Sequence, residues 1–227
     1  MVEILCIIPA RSGSKGIRDK NIMDFKGKPL LAWSIEQAQN CKYNMKIIVS
    51  TDSQEYANIA IKYGAEVPFL RPNNISDDLS TDFEFINHCV EWLKNNENYN
   101  SDIILQLRPT SPTRKIEDIN KALEIFIKNR DKFDSLRSVI LFEKSPFKIY
   151  SLNDDKLIPL FNVINNIQEP YNQPRQILPQ CYLHNGYIDI LNTSILNENT
   201  INGKNILPFI MDEKNNVDID NVKDLIK

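Results

Sequence analysis

The chain has 227 residues, 42% hydrophobic and 25% charged, the balance of an ordinary globular protein, and its length suits one core domain with an appended piece rather than a fibre or a disordered chain. Thirty acidic residues against 27 basic ones give a formal charge of −3, which argues against a general nucleic-acid-binding surface, so an anionic ligand requires a local basic pocket. No run approaches the roughly 20 apolar residues of a membrane span, no basic segment precedes the first apolar run, and Cys6, Cys41, Cys89 and Cys181 lack metal or redox spacing; a cytoplasmic protein with reduced, structural thiols is expected.

Glu3–Pro9 is short, apolar and β-branched, as in a buried parallel strand. A polar loop follows. After Lys28-Pro29 the apolar positions Leu30, Leu31, Trp33, Ile35 and Ala38 recur at helical spacing, with Pro29 in the first turn. A second strand is predicted over Lys46–Asp52, a helix over Glu55–Tyr63 ended by Gly64, and a third strand over Ala65–Leu70. Phe83–Asn95 reads as helix, Asp102–Leu107 as buried strand and Ile116–Asn129 as amphipathic helix. This alternation predicts an α/β, Rossmann-like fold, a mostly parallel sheet with helices on both faces. From Asp134 the pattern changes: Ser135–Phe142 is strand-like, Pro146 to Pro179 is rich in Pro and Asn with little periodicity, Tyr187–Leu191 is a strand, and Val217–Lys227 is an acidic turn with a short helix. The reading is one domain over residues 1–227 with a loop-rich insertion or interface arm at about 134–182.

In open α/β sheets ligands bind beyond the carboxyl ends of the strands. The first strand ends in Pro9-Ala-Arg-Ser-Gly-Ser-Lys-Gly16, followed by Arg18, Lys20 and Asn21. The glycines, Gly13 among them, let the backbone come close to phosphates, Arg11, Lys15 and Lys20 supply charge for a triphosphate and its departing pyrophosphate, and Ala10 and Ser12 complete the candidate nucleotide-binding loop. The spacing matches neither the Gly-Lys-Ser/Thr loop of ATPases nor Gly-x-Gly-x-x-Gly, and an ordinary basic surface loop is the alternative. At the far end, Val217-Asp-Ile-Asp220 sets Asp218 and Asp220 on one side of an extended segment, where the pair can hold Mg²⁺ through oxygen ligands; a solvated acidic turn is the alternative.

Ile8–Ile17, Lys20-Asn21, Gly27-Lys-Pro-Leu30, Ile48-Val-Ser-Thr-Asp52, Arg71-Pro72, Pro109-Thr-Ser-Pro112 with Arg114, Pro174-Arg-Gln176, Leu178-Pro179, Asn185-Gly186 and Asp218-Ile-Asp220 run in one order through nearly the whole chain. In that order they resemble the acylneuraminate cytidylyltransferases, sugar nucleotidyltransferases that make CMP-activated nonulosonic acids. The resemblance implies transfer of CMP from CTP to a sialic-acid-like sugar with release of pyrophosphate, in glycan synthesis. It implies catalytic roles for Arg11, Lys15, Lys20, Asp218 and Asp220, and base reading by Asn21, Arg71 and the Asp78-to-Ser80 stretch. Acceptor contacts fall at Pro109, Thr110, Ser111, Arg175, Gln176 and Asn185. It also implies a homodimer whose arm closes on the partner's sugar site. A solvated cap for Arg71 and a loop held by arginine-to-backbone bonds for Pro174-Arg-Gln176 are the alternatives. His88 is expected to be structural, and His184 is a candidate for lining the pocket.

Two positions depart from the family pattern: Arg108 stands where Gln is usual, and Tyr187-Ile-Asp189 where Ala-Ile-Tyr is usual. A guanidinium in place of an amide adds a positive charge and favours a more anionic acceptor, such as a phosphate. Asp189 pairs either with an amino group on the sugar or with Arg108 itself. A nucleotidyltransferase acting on a sugar phosphate or another acidic sugar, with another nucleoside triphosphate, therefore stays open, and a non-catalytic nucleotide-binding module is the alternative of a different class. No residue presents itself as a dedicated general base.

Overall fold

The computed structural model describes residues 2–14 and 16–212. The readings at Lys15, Asp218 and Asp220 lie outside the described residues. Six strands form the main sheet: β1 (Ile4–Pro9), β2 (Lys46–Ser50), β3 (Ile103–Gln106), β4 (Ser135–Phe142), β5 (Cys181–Asn192) and β6 (Ile206–Met211). They lie in the order β6-β4-β5-β3-β1-β2, and all share one direction except β5, which is antiparallel to both its neighbours. The mostly parallel sheet expected from the alternating pattern is present.

β1 and β3 are central because they are apolar on both sides, and each is buried almost throughout. Helices α1 (Leu30–Gln39), α2 (Gln54–Lys62) and α4 (Ile116–Asn129) cover one face, where Leu31, Ile35, Ala60 and Phe126 meet Cys6 and Ile8. Helix α3 (Asp82–Glu97) covers the other, where Phe85, Ile86 and Leu93 meet Leu5 and Ile7. Successive residues of β1 thus feed opposite cores, as the two-residue period of a strand requires, and each fully buried Ile or Leu contributes roughly 2 kcal/mol.

Local chemistry sets the helix boundaries. Thr81 and Glu84 form a reciprocal capping box, with the Glu84 carboxylate accepting from the Thr81 N–H at 2.6 Å, so α3 begins at Asp82 beside the strand ends. Ser53 caps α2 by accepting from the Tyr56 N–H. Gly64 follows α2 with φ +88°, and a Cβ there would stand 2.6 Å from the Gln39 amide. Pro29 stands one residue ahead of α1.

Three elements differ from the pattern reading. Ala65–Leu70 contributes a single parallel bridge, Ile48 to Glu66, before Pro68 removes a donor from the ladder. Tyr187–Leu191 is the second half of the longer β5, whose pairing with β4 shifts register between His184 and Asp189 and so breaks the alternation. β6 was not expected, and it tolerates Pro208 because it is an edge strand. Residues 143–180 leave the sheet between β4 and β5 as two small hairpins and three short 3-10 turns; this excursion is narrower than 134–182 because Phe142 and Cys181 still pair in the sheet. The four cysteines are free, with Cys6 and Cys89 buried in the core. Among the described residues no helix is long and apolar enough to cross a membrane.

Candidate active site

A cleft of about 350 Å³ opens beyond the carboxyl ends of β1 and β3. One wall is the loop after β1, contributing Arg11, Ser14, Gly16, Lys20 and Asn21. Its shape is fixed by hydrogen bonds. The Ser12 N–H and hydroxyl donate to the two carboxylate oxygens of Asp52 at 2.7 and 2.6 Å, and the Asn21 amide donates to the Arg11 carbonyl at 2.9 Å. Gly13 takes the left-handed turn between these anchors, with φ +70°. Arg11 donates to Asp78 at 2.8 Å, which joins the loop after β1 to the Asp78-to-Ser80 stretch.

The second wall carries Arg71, Ser80, Asp82 and Phe85. Arg71 is buried, its Nε donating to the Ser50 hydroxyl at 3.0 Å and Nη2 to the Ser50 carbonyl at 2.6 Å, with the guanidinium 4.7 Å from the centre of the Phe85 ring. It is therefore not a solvated cap. Burial pulls its pKa down to about 10, so it remains a cation at neutral pH, held by neutral oxygens and a ring face.

The third wall is Arg108, Pro109 and Thr110. Arg108 donates through Nη2 to Asp82 at 2.5 Å and through Nη1 to Asp189. Burial opposes its charge, but the Asp189 and Asp82 carboxylates outweigh burial and hold its pKa above the ordinary value. Asp189 is 1% exposed; Arg137 Nη1 lies 3.1 Å away and His184 Nε2 2.8 Å away. Burial would raise the Asp189 pKa, but His184, Arg108 and Arg137 bring it down to about 2. The positive charge that Arg108 adds is thus met by two carboxylates. Of the two partners considered for Asp189, Arg108 is the one found.

Buried Arg114 sets the turn. It donates to the Tyr187 carbonyl at 2.5 Å, to the Gln37 side chain at 2.6 Å and to the Arg108 carbonyl at 2.8 Å, tying the Arg108–Ser111 segment to α1 and β5. Among the residues singled out from sequence, Arg11, Lys20, Asn21, Arg71, Ser80, Arg108, Pro109 and Thr110 line the cleft. Ala10 and Ser111 are buried outside its lining, and Ser12, Gly13 and Asp78 shape it from behind. Asn185 is not on the cleft: it accepts from the Ser138 hydroxyl at 2.6 Å and from the Tyr187 N–H at 3.2 Å, holding the β5 irregularity. Asp189 likewise stands behind Arg108, and His184 serves Asp189 rather than the lining. Arg175 lines a separate cavity of about 360 Å³ at the root of the excursion, with Gln176 exposed beside it.

Ser14 and Gly16 belong to the loop singled out from sequence, whereas Asp82 and Phe85 were missed. The capping-box spacing Thr81…Glu84 was the available signal for Asp82, since it places that residue in the first turn of a helix starting at the strand ends. Among the described residues no group of three or more His, Cys, Asp or Glu stands together to hold a metal.

Residues 5–156 match the family model described as cytidylyltransferase. The chain is 34% identical to the pseudaminic acid cytidylyltransferase of Campylobacter jejuni over 97% of its own length and 92% of the relative. It is 35% identical to the CMP-N,N'-diacetyllegionaminic acid synthase of the same species, over 99% and 92% respectively. In three dimensions it is similar to a CMP:2-keto-3-deoxy-manno-octonic acid synthetase solved with CTP. There the TM-score is 0.64 at 17% identity, covering 92% of this chain and 90% of that one.

Proposed function

Because the chain belongs to the cytidylyltransferase family, we propose that it transfers CMP from CTP to a nonulosonic acid, releasing pyrophosphate and leaving an activated nucleotide sugar. The observation that carries this reading is the division of the cleft. The β1 loop and Arg71 present cationic donors on one side, and a compensated polar wall faces them on the other. The acceptor hydroxyl oxygen attacks the α-phosphorus in line; a new P–O bond forms as the bond to the bridging oxygen breaks, the electron pair leaves with pyrophosphate, and the hydroxyl proton passes to solvent. Arg11 and Lys20 hold the charge of the departing group, Asn21, Arg71 and Ser80 frame the base, and Arg108, Pro109 and Thr110 face the acceptor.

Asp218 and Asp220 offer the hard oxygen donors that suit Mg²⁺, and we assign the ion to them. When bound, it supplies charge neutralisation at the phosphates. We further assign a homodimer, supported by the apolar side chains that the excursion and the adjoining end of β5 expose, among them Leu152, Leu157, Tyr182 and Leu183. In that arrangement Arg175 and Gln176 serve the partner's acceptor site. A cytoplasmic location accords with four unpaired thiols.

The test is pyrophosphate release with Mg²⁺, offering CTP, GTP, UTP and ATP each against nonulosonic acids, 3-deoxy sugars and sugar 1-phosphates. Release with CTP and a nonulosonic acid is expected. Release only with a sugar 1-phosphate or another nucleotide overturns the substrate, and silence throughout supports a binding module.

A further inference from the structure

Asp82 and Arg108 both line the cleft, yet neither presents a lone charge there. The Gln106 side chain donates to the same Asp82 oxygen at 3.1 Å, and Asp189 grips Arg108 from behind while Arg137 and His184 hold Asp189. Two guanidiniums and two carboxylates thus interlock, and their charges cancel. A guanidinium compensated in this way keeps N–H groups that suit neutral oxygens, and Asp82 adds an acceptor beside them. A second anionic group brought against Arg108 meets the Asp82 carboxylate and a guanidinium already gripped by two carboxylates, and like-charge contact of that kind discriminates against a ligand.

We propose that Asp82 is a specificity-determining residue which, with Asp189 as positioning residue behind it, cancels the charge of Arg108. This wall then accepts neutral hydroxyl or acylamino substituents of the acceptor and turns away a second anionic group. The inference rests on the proposed transfer reaction and names the chemistry of one side of its acceptor site. It narrows the consequence that Arg108 carries in the sequence alone, because the carboxylate at position 82 offsets the charge that the arginine presents to the cleft.

The experiment uses inorganic phosphate as the probe, with the full-length protein saturated with CTP so that the phosphate loop is occupied. Phosphate is measured as a competitive inhibitor against the acceptor, and independently by titration calorimetry. Wild type is expected to bind phosphate weakly, and Asp82→Asn to bind it about tenfold more tightly, the effect of one uncovered charge at short range. That gain is expected to disappear in about 0.5 M salt, and also when Arg108→Gln is added to the same chain. Asp189→Asn uncovers the same guanidinium from the other side and serves if Asp82→Asn does not fold. Equal phosphate affinity in wild type and both variants, or tight binding already in wild type, overturns the proposal. Absence of turnover with every acceptor overturns the transfer reading instead, and calorimetry still reads the wall.

Discussion

Two arginines line one cleft and make opposite walls. Arg71 is buried against the Ser50 oxygens and the Phe85 ring, with no carboxylate among those partners, and burial pulls its pKa down to about 10. Arg108 is buried against Asp82 and Asp189, which hold its pKa above the ordinary value despite the burial. The first is a cation held through neutral groups, with Asp52 and Asp82 acting on it without a direct bond, and the second is gripped directly by two carboxylates. The residue type supplies the donors, and the neighbouring carboxylates decide the field those donors carry.

The comparison is sharpened first at the phosphate side. Asp220→Ala should abolish turnover while leaving the thermal midpoint in place; wild-type rates of pyrophosphate release would remove this carboxylate from the site. Arg71→Met should lower kcat/KM for CTP by roughly 100-fold, the scale of losing one preorganised charged donor, and a smaller loss than that of Arg108→Gln would break the contrast between the walls. Arg108→Gln should instead act on stability. It removes one partner from buried Asp189 and costs about 2 kcal/mol in denaturant unfolding, with part recovered on adding Asp189→Asn; strictly additive losses would uncouple the pair.

Acid provides a subtler test. Asp189 titrates lower in the folded chain, at about 2, than in the unfolded one, so its contribution to stability is complete above about pH 4 and is lost as pH falls toward 2. Asp189→Asn should flatten the stability profile in that window and leave the slope at higher pH alone. The smallest effect belongs to Asp52→Asn, which weakens one of the two bonds pinning Ser12; KM for CTP should rise about fivefold, corresponding to about 1 kcal/mol, with kcat held.

Much of this was legible in the sequence for physical reasons. β1 and β3 announce themselves because a strand buried on both faces is apolar almost throughout, and the loop at Arg11 and Lys20 because basic side chains gathered after a buried strand fall at its carboxyl end, where the cleft opens. β6 was hidden, since an edge strand half exposed and carrying Pro208 has no such uniformity. The first half of β5 was hidden by its register shift at His184 and Asp189. The cancelled charge of Arg108 was only half legible: Asp189 was a possible partner, but Asp82 lies 26 residues away and is brought to the strand end by the start of α3. Motifs name side chains one at a time, whereas net charge belongs to a neighbourhood.

The single reversed strand has a consequence for how such a molecule can vary. Because β4 ends at Phe142 directly opposite the start of β5 at Cys181, residues 143–180 depart from and return to the same end of the sheet, the end where β1 and β3 open into the cleft. A chain excursion rooted there can lengthen, shorten or change composition while both of its anchors stay in register. The loop after β1 is untouched by such edits. The topology thus lets the excursion vary apart from the residues that line the cleft, and the direction of one strand makes that separation.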